Sequence, residues 1–342
     1  MRLLVLGGTS FVGPALVQAA LDRGWAVTCL HRGVTGSPPQ GATSIIGDRT
    51  TPSVLTALAQ QRFDVVVDAW SGAPRVARDT ARALAGSTGR WAYVSSRSVY
   101  AWPPENHADE SATVVPADPD GELTDYAADK RGAELAYERE LGADRVVHLR
   151  AGLILGPREN IGRLPWWLRL VARGGEFLAP GPADLPLQYV DARDLASFAL
   201  DTLQDNRSGP VNTVSLPGAA TMAQVLAACI DVTGSGARPT WVDARWLLAA
   251  GVEPWTELPI WIPREHESYA MHTGDTSRAA QWGLRTRPVA ETVADTWVWM
   301  AQDDVGVGPP PGRPPVGMPP ERAGELLAAW HSGTAGPAGK AS

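Results

Sequence analysis

Lysine is almost absent from this sequence of 342 residues, in which only Lys130 and Lys340 carry it and arginine supplies every other permanent positive side chain. Cysteine is equally scarce. Cys29 and Cys229 both lie in apolar surroundings, which favours two reduced core thiols over a disulfide or a metal site. No charged and then apolar leader precedes the first apolar run, and no run is long enough to cross a bilayer. These absences predict a soluble, cytoplasmic protein.

The chain also lacks a long basic segment, and its net charge is −7 with a pI of about 5.4. This balance argues against nucleic acid and membrane surfaces as partners and favours a small-molecule substrate. The length suffices for one large domain and a smaller lobe. The sequence does not decide the oligomeric state, for which a homodimer stays an open alternative. Among the aromatic residues, 14 tryptophans stand against 4 phenylalanines and 6 tyrosines. In the proline-broken segment 241–262 we expect most of the tryptophans in the core and a minority near the cleft, where they could line an apolar or aromatic substrate pocket.

The first thirteen residues predict a nucleotide site. An apolar run from Leu3 to Leu6 suits a buried parallel strand, and Gly7 and Gly8 permit a tight turn before a helical pattern. The positive end of that helix would face an anion such as a dinucleotide pyrophosphate. The spacing follows G-x-x-G-x-x-G, with serine in the middle place. The predicted cofactor-binding residues of this turn are Gly7, Thr9, Ser10, Phe11, Val12 and Gly13.

Strands and helices alternate through the first half of the chain. Further apolar strands are predicted at 26–30, 44–47, 63–68, 91–95 and 146–150, which indicates a parallel sheet with right-handed crossovers. The predicted fold class is therefore α/β, a doubly wound parallel sheet of the Rossmann type with a smaller C-terminal α/β substrate lobe. We predict a dinucleotide-binding domain over 1–158, to which later segments return. The substrate lobe is predicted mainly over 159–302, and a Pro/Gly-rich linker, a short helix and a tail over 303–342.

The end of the second strand bears on the choice of cofactor. A carboxylate there would accept from a ribose 2′-hydroxyl, but this chain has His31 and Arg32. Arginine offers a planar fork to a 2′-phosphate, so the sequence favours NADP(H), with NAD(H) as the alternative. Asp48, after the third strand, could bind the adenine amino group or act as a turn carboxylate.

Tyr126 and Lys130 carry the predicted chemistry. Their spacing of four places both side chains on one face of a predicted helix that begins at about Thr124. A phenol alone is a poor acid–base group at neutral pH, and a neighbouring ammonium lowers the pKa of a phenol. The scarcity of lysine gives this one internal example added weight. The long loop 101–123 before the helix suits a lid.

Five motifs follow one another along the chain: Gly7–Gly13, Ser95–Tyr100, Tyr126–Lys130, Gly156–Arg158 and Val190–Asp194. Together they resemble the extended short-chain dehydrogenase/reductases, the NAD-dependent epimerase/dehydratase family. The resemblance covers about residues 1–300. It implies that Tyr126 is the catalytic acid/base, that Lys130 tunes it and binds the ribose, and that Ser96 polarises a substrate carbonyl. The family transfers hydride at nicotinamide C4.

Some residues depart from the family pattern or suggest substrate contacts. Ser10 replaces a glycine, Ala151 stands where proline is frequent, and Trp70 occupies a loop where small residues are common. The segment Glu265–His272 matches no metal-ligand spacing, so no metal is predicted. The predicted substrate residues are Trp70, Arg97, Trp102 and Trp166.

Three functions remain open at this level. The basic strand end and the tryptophan-rich lobe favour an NADPH-dependent reductase of a carbonyl in a small, cyclic or aromatic substrate. The alternative is a nucleotide-sugar epimerase or dehydratase that retains its NAD(P). A third option, a dinucleotide-binding protein without turnover, conflicts with the intact set of Ser96, Tyr126 and Lys130.

Overall fold

The computed structural model describes residues 1–302 and 315–334. The strands in these ranges are β1 Arg2–Leu6, β2 Ala26–His31, β3 Thr43–Ile46, β4 Phe63–Asp68, β5 Thr88–Ser96, β6 Val146–Ala151, β7 Ile154–Leu155, β8 Glu176–Pro180, β9 Pro186–Leu187, β10 Val190–Asp191, β11 Gly209–Thr213, β12 Ala220–Thr221 and β13 Arg238–Val242. The helices are α1 Val12–Asp22, α2 Pro52–Ala59, α3 Pro74–Leu84, α4 Tyr126–Leu141, α5 Arg163–Ala172, α6 Ala192–Gln204, α7 Met222–Thr233, α8 Ala244–Ala249, α9 Ser277–Gln281, α10 Val289–Gln302 and α11 Pro320–His331.

The chain divides into two compact units. Unit 1 comprises 1–152, 192–215 and 274–286, and unit 2 comprises 153–191, 216–273 and 287–342. The chain thus first leaves unit 1 after Gly152, six residues before the predicted boundary at 158, and returns to it twice.

Unit 1 is built on a seven-stranded sheet in the order β11-β6-β5-β4-β1-β2-β3, with every pair parallel. The central strands are apolar on both faces because helices cover both sides; Leu3 to Leu6 are all fully buried. The predicted α/β class with a Rossmann sheet is confirmed. Strand β2 runs one residue beyond the predicted 26–30, and β3 lies one residue before the predicted 44–47. Strand β5 begins three residues before the predicted 91–95 and ends one residue after it.

Unit 2 has its own apolar core. Helices α5, α7 and α10 pack together, and two-stranded ladders join β8 to β13 in parallel and β9 to β12 in antiparallel fashion. Trp167 and Trp261 are fully buried in this core. Of the other tryptophans in the segment 241–262, Trp241, Trp246 and Trp255 are only half-buried and pack against the core from its border. The short helix predicted over 319–331 is present as α11. Of the linker predicted over 303–318, residues 303–314 lie outside the described residues, as does the tail at 335–342.

Two further expectations can be compared with the described ranges. Cys29 and Cys229 are buried free thiols, and burial raises the pKa of Cys29 to about 12. In 1–302 and 315–334, no helix combines the length and the apolar character that a membrane span requires.

Candidate cofactor and catalytic site

The strand order of the sheet reverses between β1 and β4, which are neighbours in the sheet although α1, β2, β3 and α2 separate them in the chain. Open α/β sheets bind ligands beyond the carboxyl ends of their strands at such a point. The turn at Gly7 follows β1, the loop 69–73 follows β4, and β5 ends at Ser96. These segments of unit 1 therefore form one edge of the sheet at which a dinucleotide can bind.

The turn after β1 has the backbone geometry of an anion cradle. Gly7 has a φ of +101°, which disfavours any residue with a side chain. A Cβ on Gly13 would lie 2.2 Å from the carbonyl oxygen of Gly7, so α1 begins pressed against the turn. Among the described residues no side chain caps the N-terminus of α1, and its first turn contains no acidic residue. The positive end of the helix dipole thus meets a turn that fits a dinucleotide pyrophosphate.

Replacing Gly13 by alanine is expected to weaken cofactor binding about tenfold, because the new methyl group would push α1 away from the turn and misplace the phosphate donors. Intrinsic tryptophan fluorescence titrated with NADPH and with NADH measures the change. Gly86→Ala is the matched control, since a Cβ on Gly86 would meet no atom within 4 Å. Unchanged affinity in Gly13→Ala would contradict the assignment of the cradle.

The end of β2 carries no carboxylate. His31 is buried, and its Nδ1 accepts the N–H of Gly33 at 3.1 Å, so the ring proton lies on Nε2 and is donated to Ser44 Oγ at 2.7 Å. The adjacent Arg32 is exposed. The basic group that this strand end presents to solvent is therefore the Arg32 guanidinium.

Asp48 forms a turn at the end of the third strand. Its Oδ1 accepts the backbone N–H of Thr50 at 2.8 Å and the Thr50 hydroxyl at 2.7 Å. These hydrogen bonds hold the pKa of the Asp48 carboxyl below its usual value. A contact with the adenine amino group stays a prediction.

Helix α4 begins at Tyr126 because Asp125 caps it, accepting the N–H groups of Ala127 and Ala128 at 3.0 Å each. Tyr126 and Lys130 lie on one face, as their spacing predicts, with the lysine Nζ 5.9 Å from the centroid of the phenol ring. The two side chains differ in burial. Tyr126 is 43% exposed and can reach a bound molecule, whereas Lys130 is only 4% exposed.

Two backbone carbonyls orient the Lys130 ammonium. Its Nζ donates to Trp70 O at 2.6 Å and to Val94 O at 2.7 Å, and it lies 4.8 Å from the ring centroid of Tyr93. The ammonium is thus held by the loop after β4 and by strand β5. Neither carbonyl could be assigned from the sequence, because a backbone acceptor leaves no trace in residue type.

Ser96 ends β5 and caps a 3₁₀ turn at Arg97–Val99. Its Oγ accepts the N–H of Ser98 at 3.1 Å and donates to Ser98 Oγ at 3.1 Å. The sequence reasoning did not assign Ser98, although its hydroxyl orients that of Ser96. The pair places two hydroxyl groups at the carboxyl end of β5.

Glu134, one helical turn beyond Lys130, was also missed. Its buried carboxylate accepts from Ser95 Oγ at 2.6 Å and forms a two-point pair with Arg150 at 3.0 Å for each bond. It thereby ties α4 to β5 and β6 directly beneath Ser96. Continuing the four-residue spacing from Tyr126 through Lys130 would have reached this position.

The four predicted substrate residues lie in different surroundings. Trp70 is half-buried, and its indole N–H donates to Ala73 O at 3.0 Å. Arg97 is 4% exposed and packs against Gly274, so unit 1 does not present its guanidinium to solvent. Trp102 is 56% exposed in the loop 101–123. Trp166 belongs to unit 2, where it lines a cavity of about 210 Å³.

The loop 101–123 is anchored to unit 1 in its middle. Glu110 is buried, and one of its carboxylate oxygens accepts the backbone N–H of Asn212 at 2.7 Å. The side chain of Asn212 in turn donates to Ala108 O at 3.1 Å. A lid in this loop would therefore be confined to residues outside the anchored part.

The histidines of the segment 265–272 have structural partners. His266 Nδ1 accepts the N–H of Ser268, and His272 Nδ1 accepts the N–H of Gln188 at 3.1 Å. Within 1–302 and 315–334 no three His, Cys, Asp or Glu side chains form a group suited to a metal ion.

Comparisons with solved structures agree with this fold. The chain resembles the Bordetella bronchiseptica enzyme WbmH in complex with NAD⁺ (TM-score 0.68, 17% identity, 89% of this chain and 99% of that chain). It also resembles the UDP-N-acetylglucosamine 4-epimerase of Methanobrevibacter ruminantium in complex with UDP-N-acetylmuramic acid (TM-score 0.66, 19%, 88% and 98%). A third similar structure is the UDP-glucose 4-epimerase of Thermus thermophilus in complex with NAD (TM-score 0.61, 20%, 88% and 99%).

One curated protein is similar over a short stretch. The photosystem II assembly factor Ycf39 of a Synechocystis strain is 38% identical over 72 residues, which is 20% of this chain and 22% of that protein. A far longer match comes from a family model, that of the NAD dependent epimerase/dehydratase family, which covers residues 3–215 and thus more than half of the chain. The chain belongs to the NAD-dependent epimerase/dehydratase family of extended short-chain dehydrogenase/reductases and is an NAD(P)-dependent enzyme of that type.

Proposed function

We propose that this enzyme is an NADPH-dependent reductase that transfers hydride to a carbonyl group of a small, cyclic or aromatic substrate. The observation that carries the NADPH assignment is the end of β2, where Arg32 is exposed and His31 is withdrawn into a hydrogen bond with Ser44. Strand β2 itself ends without a carboxylate, so a 2′-phosphate can compete with the neighbouring Asp48 carboxylate for the guanidinium fork of Arg32.

The proposed catalytic set is Ser96, Tyr126 and Lys130. Bound NADPH supplies the hydride at nicotinamide C4. The Ser96 hydroxyl, which donates to Ser98 Oγ in this structure, would turn to donate to the carbonyl oxygen instead. The Tyr126 phenol would donate to the same oxygen and give it its proton as the carbonyl carbon is reduced. The exposure of Tyr126 supports this role, because a proton donor must reach the substrate. The buried Lys130 ammonium sits beside the ring as a fixed positive charge and is the proposed ribose donor.

A second function is favoured by the solved structures that cover nearly the whole chain. Two of the three solved structures described above are UDP-sugar 4-epimerases. Such an enzyme would oxidise and then re-reduce a single substrate. The two proposals differ in the fate of the cofactor. A reductase consumes NADPH when a ketone is added, whereas an epimerase retains its dinucleotide without net consumption.

The deciding experiment has two arms. NADPH absorbance is followed with a panel of cyclic and aromatic ketones, and the released nucleotide is identified after denaturing the purified protein. Steady loss of NADPH with a ketone supports the reductase. Retained NAD⁺, no NADPH consumption and a higher melting temperature with UDP-sugars would instead favour the epimerase.

Replacing Arg32 by aspartate tests the cofactor preference. The new carboxylate should accept from a 2′-hydroxyl and repel a 2′-phosphate, so NADPH affinity is expected to fall about tenfold while NADH affinity holds or rises. Fluorescence titration with both cofactors gives the ratio. Arg62→Asp serves as the control, since Arg62 precedes β4 at the opposite end of the sheet and bonds Gly86 O. Equal losses for both cofactors in Arg32→Asp would contradict the preference.

A further inference from the structure

A buried ion pair lies behind the loop that follows β4. Asp68 is fully buried at the end of that strand, and Arg49 donates to it through two nitrogens, at 2.7 Å to Oδ2 and 3.0 Å to Oδ1. Tyr137 adds its hydroxyl to Oδ2 at 2.6 Å. Three bonds from side chains thus fix the carboxylate in one orientation.

The same carboxylate fixes the backbone of Trp70. Its Oδ1 accepts the Trp70 N–H at 2.9 Å, and the Arg49 guanidinium lies 4.8 Å from the centroid of the indole ring. Both the backbone and the ring of Trp70 are therefore tied to the ion pair.

The carbonyl group of Trp70, which belongs to the next peptide unit, contacts the proposed catalytic lysine. The oxygen of this group accepts from Lys130 Nζ at 2.6 Å and from the Tyr93 hydroxyl at 3.0 Å. Burial raises the pKa of Tyr93 and of Tyr137 well above 10, so both hydroxyls stay protonated donors. The second acceptor of Lys130 is Val94 O, whose position is fixed by the hydrogen bonds of strand β5. Trp70 lies in a loop, so other contacts must fix the position of its carbonyl group.

We propose that Arg49 and Asp68 are positioning residues of this enzyme: through the backbone of Trp70 they set where the Lys130 ammonium points toward the bound cofactor. Neither residue has to touch the substrate or the cofactor. This assignment rests on the proposed role of Lys130 as a ribose donor. It adds that two residues from the ends of separate strands hold that donor in place.

A double-mutant cycle between Asp68 and Lys130 tests the proposal. Asp68→Asn keeps the shape of the side chain but leaves Arg49 without a charged partner, and Lys130→Met removes the group that is positioned. We expect Asp68→Asn to weaken dinucleotide binding about tenfold in the wild type and to have almost no effect in the Lys130→Met background. Equal losses in both backgrounds, or no loss in either, would overturn the proposal.

Two milder variants guard against misfolding of Asp68→Asn. Tyr137→Phe removes one donor to Asp68, and Arg49→Lys keeps the charge but loses the two-point geometry. Each should show a smaller loss of affinity that again disappears in Lys130→Met. A loss that persists there counts against the proposal. Arg82→Met is the matched control, because Arg82 forms a similar two-point pair with Glu140 on the surface and should leave affinity unchanged.

The probe is whichever of NADPH and NADH binds the wild type more tightly, read by fluorescence or calorimetry without any turnover. If the proposed preference for NADPH is wrong, the wild-type titrations reveal it, and the double-mutant cycle can still be measured with NADH. A wrong positioning role shows only in the coupling between Asp68 and Lys130.

Discussion

Replacing Tyr126 by phenylalanine should lower turnover by roughly 10²- to 10⁴-fold, the usual contribution of a positioned acid–base group. The change removes the hydroxyl and keeps the ring, so the packing against Lys130 is retained and cofactor affinity should stay within about twofold. Rates are measured with a ketone from the NADPH panel, or with a UDP-sugar if the epimerase proposal holds. In both proposals the phenol takes part in the reaction, so the same loss is expected with either substrate.

Tyr189→Phe is the matched control for this prediction. It also removes one hydroxyl, but from a buried tyrosine of unit 2 that donates to Arg287 O at 2.7 Å. Its turnover should match the wild type after correction for any loss of folded protein. Activity that survives in Tyr126→Phe would refute the proposed role of the phenol as the acid–base group.

The Glu134→Gln substitution should give the largest loss of stability among the changes considered, about 3–5 kcal/mol at neutral pH. Both partners of the pair are buried, so the amide would leave the Arg150 guanidinium without a compensating charge. Urea unfolding measures the free energy. Glu140→Gln alters a comparable two-point pair with the exposed Arg82 and should cost less than about 1 kcal/mol. Similar losses of unfolding free energy in the two variants would contradict the view that burial makes the Glu134–Arg150 pair the more important one.

The same pair predicts a pH dependence. Burial alone would raise the pKa of Glu134, but the nearby His148 and the hydrogen bonds from Arg150 and Ser95 outweigh it and lower that pKa from 4.5 to about 2. A depressed pKa means that the folded state favours the carboxylate. Its contribution to stability is complete above pH 4.5 and disappears as the pH falls through about 2. Glu134→Gln should therefore lose less stability than the wild type over this window.

The fold was accessible from the sequence because its signals are local. A short apolar run such as Leu3 to Leu6, followed at once by a glycine turn, indicates a buried strand. Gly7 has a positive φ, and a Cβ on Gly13 would collide with the turn, so both positions favour glycine. Alternation of strands and helices then determines a parallel sheet with few topologies. The return of the chain to unit 1 was expected in outline, but its exact residues depend on long-range pairing between β6 and β11.

The site was accessible only in part. Tyr126 and Lys130 share a helix, so their spacing reveals their common face. The partners of Lys130 come from elsewhere in the chain: Trp70 O lies 60 residues away and Val94 O lies 36 residues away. Trp70 was predicted as a substrate residue from its side chain, whereas its carbonyl group makes the contact with the lysine. Such contacts follow from tertiary packing and have no signature in residue type.

The late return of the chain to unit 1 has a practical consequence. Strand β11, at 209–213, covers the outer side of β6, and Asn212 anchors Glu110 of the loop 101–123. In a fragment that ends at Gly152, β6 would lack its neighbour β11 and become an edge strand. Its unpaired backbone N–H and C=O groups would then promote aggregation. The nucleotide-binding half therefore cannot be excised by a single cut, and expression work needs the chain at least through 286.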